Sequence, residues 1–501
     1  MIIVAENKKN HYELANIAQI FFPNETITPV ERLEQPPAEG ETLVRTFSVE
    51  EGDRLRNRVE IRFGDGQELS GEEMSENNQH DSALSMGRVL YQLFVKRTGR
   101  QMDWGVLTGI RPVKVARVLR KQGKTPQEIQ EIFCNQYLTR PEKARLCIDT
   151  DRNQAQVIDS ALPHGYSLYL SIPFCPSRCS YCSFVSHSIE KTWKLIPDYL
   201  EKMLVELRQT ARIAREKGLR LQTVYMGGGT PTVLTAEQLE RVLSAVREEF
   251  DFSDCTEFTV EGGRPDTITE AKLDALRRCG VDRISINTQT TNDHILEAIG
   301  RKHTAQEFFD KFALAKTKGF HAINVDLIAG LPGEDEASFC RSLDQVIGLG
   351  AENITVHSLT VKRAARLAEE KKQLLPAGER QAQATPVSRM IDYSQQALRA
   401  AGYESYYLYR QKNTIDCLEN VGYSKPGTAC QYNIFIMDET HTILSVGGGG
   451  VTKMVMPGAA GAESWDNVRI ERIFNLKYPY EYISRFDTIL ERKQKILEYP
   501  L

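Results

Sequence analysis

Residues Ser167–Cys182 read "SLYLSIPFCPSRCSYC", an apolar run that ends in three cysteines, Cys175, Cys179 and Cys182, spaced C-x3-C-x2-C. The apolar half has the length and composition of a buried strand. The cysteine half is a metal-type loop, because thiolates are soft ligands that suit zinc or an iron–sulfur cluster. A structural zinc site takes four protein ligands, and so does a ferredoxin-type cluster. Three thiolates on a cubane leave one iron open. A cluster needs that opening if it is to bind and act on a cofactor or substrate, whereas an electron carrier would keep it closed. Zinc with a distant fourth ligand, or three core cysteines, are the alternatives at this point.

Outward from the loop, residues 161–375 alternate strand and helix. "SLYLSIPF", "LQTVYMGG", "TEFTVEGG", "VDRISINTQ", "AINVDLIAG" and "ENITVHSLT" are strands by pattern, nearly continuous in apolar residues as buried parallel strands are. Helical patterns such as "DYLEKMLVELRQTARIAREKG" and "TAEQLERVLSAVREEF" separate them. Six βα units in series predict a partial or open relative of the α/β barrel, whose active site lies at the carboxyl ends of the strands. The cysteine loop follows the first strand, and Gly227-Gly228-Gly229-Thr230-Pro231-Thr232 follows the second. Glu261-Gly262-Gly263-Arg264 follows the third, and Gln289 ends the fourth. The fifth carries Asp326 and ends at Gly330-Leu331-Pro332-Gly333; the sixth ends near His357, Ser358 and Thr360. Taken singly, the glycines are ordinary turns and a lone Gln or Asp is a cap. Convergence on the rim that carries the cysteines gives them a joint reading as one site.

The flanks differ in pattern. In residues 1–160 "MIIVA" is a strand, "NHYELANIAQIFF" a helix, and "TLVRTFSVEE" with "RVEIRFGDG" a strand pair. A polar stretch, "ELSGEEMSENNQHD", leads to helices at "SALSMGRVLYQLFVKRTG", "TGIRPVKVARVLRKQG" and "TPQEIQEIFCNQYL", the last entered through a Thr-Pro helix-start signal. Residues 376–501 begin with a helix around "SRMIDYSQQALRAAG". Aromatic strand-like segments, "YESYYLYRQ" and "YNIFIMDETHTILSVGGGG", follow, and then a closing helix. The chain has 501 residues, enough for two or three domains. A net charge of −4 excludes a generally basic nucleic-acid binder. No apolar run is long enough to span a membrane and no signal peptide is legible. Seven of the ten cysteines are scattered singly, as reduced, buried fillers of a cytoplasmic protein would be.

"LYLSIPFCPSRCSYCSF" together with "GGGTPT" resembles the radical S-adenosylmethionine (radical SAM) superfamily. Within it the chain is similar to the oxygen-independent coproporphyrinogen III oxidase family. "TGIRPVK" ahead of the barrel and "YLYRQKN…ENVGYSKPG" after it look like the HemZ-type coproporphyrinogen dehydrogenases. The resemblance implies an α/β fold: a partial (β/α)6 barrel over 161–375 with an N-terminal α+β region (1–160) and a C-terminal α+β region (376–501) covering the substrate side. It implies that Cys175, Cys179 and Cys182 hold three irons of a 4Fe–4S cluster, and that SAM chelates the fourth. Tyr169, six residues before Cys175, matches a tyrosine beside the SAM site. Gly228, Gly229 and Thr230 lie by the methionine amino group. Glu261 matches the family's acid at the third strand. Gln289 and Arg301 match residues that contact SAM, Asp326 matches an acceptor for the ribose hydroxyls, and Ser358 lies near the adenine.

The implied reaction is oxidative decarboxylation of coproporphyrinogen III to protoporphyrinogen IX. Its partners are a tetrapyrrole substrate and an electron donor and acceptor that no residue identifies, with no nucleic acid. Candidate cations for the substrate carboxylates are Arg264, Lys362, Arg363, Arg410 and Lys412, and Tyr406, Tyr407 and Tyr409 are candidates to pack on its face. Two positions depart from the best-known oxidases. Ser171 replaces a histidine, and Phe184 replaces a further cysteine. The C-Y-C-x-F ending is shared with the HemW-type haem chaperones, so a haem-binding chaperone is an alternative, as is a radical SAM enzyme acting on another tetrapyrrole.

Overall fold

The computed structural model describes residues 1–109, 111–182, 187–360, 385–411, 417–458 and 468–500. Phe184, Lys362, Arg363 and Lys412 lie outside the described residues. The chain forms two compact units, one built on Met1–Ile148, the other on the chain from Asp149 onward apart from two short pieces.

The first unit holds a five-stranded sheet in the order β2-β1-β3-β4-β5. Its strands are β1 (Ile2–Val4), β2 (Thr28–Val30), β3 (Leu43–Glu51), β4 (Arg54–Arg62) and β5 (Glu68–Glu76). Helices Lys8–Phe21 and Gln79–Thr98 pack on one face. Asn78 caps the second at its start, and Gly99, at φ 69°, ends it. The Thr-Pro signal is a helix start with a full capping box between Thr125 and Glu128. One expectation changes: the polar stretch "ELSGEEMSE" is strand β5, paired antiparallel with β4 over its whole length. An edge strand with one wet face can be polar throughout. Gly71 in β5 lets the helix above approach, since a Cβ there would lie 3.1 Å from Val89 Cγ1.

The second unit is ordered around an eleven-stranded sheet. The six expected strands are β6 (Gly165–Ile172), β9 (Arg220–Gly228), β10 (Glu257–Gly263), β11 (Arg283–Ile286), β12 (Ala322–Ala329) and β13 (Asn353–Ser358). They lie side by side in chain order, all parallel. Two-residue strands β7 (Phe174–Cys175) and β8 (His187–Ser188) pair outside this sheet. β6 and β13 do not pair with each other, so the ring is open. Residues after 376 extend the same sheet at both edges. β14 (Glu404–Arg410) and β15 (Glu419–Ser424) follow β13 on one side. β16 (Thr442–Val446), β17 (Val451–Pro457) and β18 (Val468–Phe474) follow β6 on the other. β16 runs parallel to β6 and so adds a seventh strand in the barrel direction. The run "YNIFIMD", expected as strand, is instead helix Gln431–Asp438. A short apolar run does not by itself distinguish the two.

Candidate functional site

The cysteine loop leaves the end of β6 and is pinned from two sides, by the loop after β9 and by Ile299–Gly300. Gly229 N donates to Ile172 O (2.8 Å) and Thr230 N to Phe174 O (2.7 Å), tying it to the loop after β9. Ser180 N donates to Ile299 O (3.0 Å) and Ser177 Oγ to Gly300 O (3.1 Å). Thr230 Oγ1 donates to Cys175 Sγ at 3.5 Å. Cys179 is buried, Cys175 and Cys182 are half-buried, and none of the three is in a disulfide. A Cβ on Gly229 would lie 2.9 Å from Cys175 Sγ and would strike Phe174 O, so only glycine fits beside this thiol.

The strands bring together Tyr169, Glu261, Gln289 and Asp326, while Arg301, past the helix Asp293–Ala298, stands at the cysteine loop itself. Tyr225 hydroxyl donates to Glu261 Oε1 (2.6 Å). Burial pushes the Glu261 carboxyl up to about 7, against the Tyr225 hydrogen bond and with help from the Asp326 charge. A Cβ on Gly227 would lie 2.8 Å from Glu261 Oε2, so the glycine run leaves room for this acid too. Gln289 has φ 74°, a conformation rare outside glycine. It persists because Gln289 N donates to Asp326 O (2.9 Å) and Ile328 N to Gln289 O (3.0 Å), locking fourth and fifth strand ends together. Burial alone would raise Asp326, but His357, 3.8 Å away, and the amide of Asn324 at 2.7 Å hold it below its ordinary value. Arg301 is buried; it donates to Asn287 O and, at 3.2 Å, to the Tyr181 hydroxyl between two of the cysteines. Burial opposes its charge, and Tyr181 and Cys179 sustain it.

Other expected residues are committed elsewhere. Ser358 donates its hydroxyl to Glu419 O (2.7 Å), into β15. Arg264 grips Asp266 with two hydrogen bonds (2.9 and 2.6 Å) and reaches Ser177 Oγ at 2.5 Å, which makes it a strut under the cysteine loop. Arg410 binds Leu107 O and Cys417 O (3.0 Å) within the first unit and lies over the Trp104 ring. Tyr406 and Tyr407 are buried in a core cluster with Cys430, Tyr432 and Ile443. The Tyr407 ring lies on Gly422 of β15. Sequence reasoning missed two residues. Tyr225 and Tyr432 stack at 4.4 Å and 20°, and Tyr169 lies beside both at about 6 Å, nearly parallel to each. Tyr225 was findable, two residues before the glycine run on β9. Tyr432 was not, because it sits on the helix expected as a strand.

The donor set fits a cluster with an open position. The three thiols lie in one short loop and are soft donors that suit iron–sulfur ligation. A cubane takes each thiolate on a different iron. Arg301 Nε and Ser180 Oγ are buried beside the loop without a hydrogen-bond partner. Such orphan groups mark a place where a polar group belongs.

The radical SAM superfamily model matches residues 169–346. The oxygen-independent coproporphyrinogen-III oxidase-like protein HemZ of Bacillus subtilis is 38% identical over 413 residues, 82% of this chain and 80% of that one. The chain belongs to the radical SAM superfamily. Its cofactors are therefore a 4Fe–4S cluster and S-adenosylmethionine. The haem chaperone HemW of B. subtilis is 37% identical over 197 residues, 39% of this radical SAM chain and 51% of HemW. Among solved structures, coproporphyrinogen III oxidase (HemN) of Escherichia coli, described as a radical SAM enzyme, matches with a TM-score of 0.50 and 22% identity. The match covers 67% of this chain and 72% of HemN, a likeness of fold. Among the described residues no helix is long and apolar enough to cross a membrane.

Proposed function

We propose that the chain oxidatively decarboxylates propionate side chains of a coproporphyrinogen-type tetrapyrrole, with protoporphyrinogen IX as product. The observation that carries the reading is the cysteine loop packed on Gly229, set in a chain that matches HemZ over four-fifths of its length. When bound, the cluster and SAM supply the 5′-deoxyadenosyl radical that takes a hydrogen atom from the propionate. In this reading Cys175, Cys179 and Cys182 hold three irons. Gly228, Gly229 and Thr230 let the backbone approach the methionine end, with Arg301 and Gln289 nearby. Asp326, ionised by its His357 and Asn324 contacts, accepts hydrogen bonds from sugar hydroxyls. Ser358 contributes packing by the adenine, its hydroxyl being committed to Glu419. Tyr169, with Tyr225 and Tyr432, walls the interior against water. Glu261 can hold a proton near neutrality while its Oε1 accepts from the Tyr225 hydroxyl. Anaerobic incubation of reconstituted protein with SAM, reductant and coproporphyrinogen III tests this. Protoporphyrinogen is expected. 5′-Deoxyadenosine without protoporphyrinogen rejects the substrate and keeps the class.

A haem-chaperone role is the second reading, favoured by the likeness to HemW and by Ser171. That serine is buried and donates to Gly448 O (2.7 Å), a structural contact where the oxidases carry histidine. Tight stoichiometric haem binding without SAM turnover supports the chaperone instead.

A further inference from the structure

The outer side of the cysteine loop carries a surface the rim does not use. β8 places His187 in register with Phe174, one residue before Cys175. The imidazole meets Tyr478 and Tyr480 edge-on at 5.5 and 6.2 Å, and these two rings stack at 5.5 Å and 14°. Both are exposed, by 38% and 51%, and Trp193, just past helix Ile189–Thr192, is exposed by 60%. With Phe474 they are the exposed aromatic side chains among the described residues of the second unit. The surrounding charge is basic. Arg178 in the loop is exposed and acts on His187; Lys194 Nζ lies 5.7 Å from the centre of the Trp193 ring, and exposed Lys191 and Lys477 stand two residues before Trp193 and one before Tyr478 in the chain. Against them stand Glu190, paired with Lys302 at 2.9 Å, and Glu481.

We propose that this surface docks a small acidic electron-transfer protein carrying a flavin or an iron–sulfur centre. The inference rests on the radical SAM reading of the cysteine loop, which requires an electron to enter the cluster from outside. The donor loses one electron and the cluster gains one; no bond is made between the proteins. Rigid aromatic rings give contact area at little cost in side-chain entropy. Redox encounters use small interfaces, below about 1,200 Å² in total, so a compact patch suffices. The basic rim attracts and orients an acidic partner at the face nearest the cysteines.

The test uses the cluster-loaded protein and, as probe, a reduced flavodoxin of net negative charge. Cluster bleaching is followed by stopped flow at low and high salt, with dithionite as a small reductant for comparison. The variants are Tyr478→Ser/Tyr480→Ser and Lys191→Glu/Lys194→Glu, all at exposed positions. Flavodoxin-driven bleaching is expected to slow about tenfold or more in each variant, and to fall with salt in the wild type. Dithionite-driven bleaching is expected to stay within about twofold. Flavodoxin binding, followed by titration, is expected to weaken about tenfold in step. An unchanged flavodoxin rate in either variant overturns the docking surface. A wild-type protein that dithionite fails to bleach overturns the radical SAM reading together with it.

Discussion

Single residues carry the chemistry here, and Glu261 carries a pH dependence with it. Its carboxyl ionises near 4.5 in the unfolded chain and near 7 when folded, chiefly because burial disfavours the charge. Between those values the folded state binds more protons, so stability falls as pH rises from about 4.5 to 7 and levels off above. At about 1.4 kcal/mol per unit, the loss approaches about 3 kcal/mol. Glu334, also raised to about 7 mainly by burial, adds to the same slope. Glu261→Gln is expected to flatten part of it, leaving the Glu334 share. Urea denaturation at pH 5 and pH 8 checks this; an unchanged slope contradicts the assignment. At the cysteines, Cys179→Ala is expected to abolish the cluster, with iron and sulfide falling from about four each to near none, while far-ultraviolet circular dichroism stays native. Retained cluster in that variant breaks the ligand assignment. These residues were legible because their chemistry is local: cysteines three and four apart, and polar groups one step beyond apolar strands. Tyr432 was not. Its partners Tyr169 and Tyr225 lie far away in sequence, and no local spacing announces a stack.

Elements obey the same division. The parallel strands were readable because burial on both faces forces a continuous apolar pattern. β5 and helix Gln431–Asp438 were not, because tertiary pairing decides them: β5 by its full-length ladder with β4, the helix by packing its tyrosine onto β6 and β9. The loop after β9 shows how tightly two elements can depend on one missing side chain. In Gly229→Ala the new methyl meets Phe174 O and Cys175 Sγ together, and the Gly229 N to Ile172 O bond holds the backbone in place. Neither neighbour is a flexible tip, so the cysteine loop must shift. A stability loss of about 1–3 kcal/mol is expected, with a larger effect on cluster loading than on fold. Thermal denaturation with iron analysis tests it. A variant that loads a full cluster shows that the contact relaxes cheaply.

Across the second unit, sequence-distant pieces meet at one buried charge, and the last prediction belongs there. Glu206, on helix Ile196–Glu216, is fully buried. It faces Lys493 Nζ at 3.1 Å, from the helix Phe486–Gln494 near the chain's end. Gly447 N (2.8 Å), Asn475 Nδ2 (2.7 Å) and the Tyr482 hydroxyl (2.5 Å) all donate to its carboxylate. Lys493 also donates to Ser445 O. The network thus fixes the glycine loop after β16. Gly448 N donates to the Tyr199 hydroxyl (2.7 Å), which donates in turn to Ser171 O (2.7 Å), four residues before Cys175. Removing one partner of a buried pair strands a charge, whereas removing both does not. Lys493→Met is therefore expected to cost about 3–5 kcal/mol. In the Glu206→Gln/Lys493→Met double variant one amide oxygen can still accept from Gly447 N and the Tyr482 hydroxyl, Asn475 Nδ2 keeps its bond to Gly447 O (2.9 Å), and no charge is stranded, so it is expected to be more stable than Lys493→Met alone. Urea denaturation of the wild type, both single variants and the double closes the cycle. If the double is less stable than Lys493→Met, the carboxylate is not held by the lysine, and the neutral donors alone must keep the glycine loop against β6.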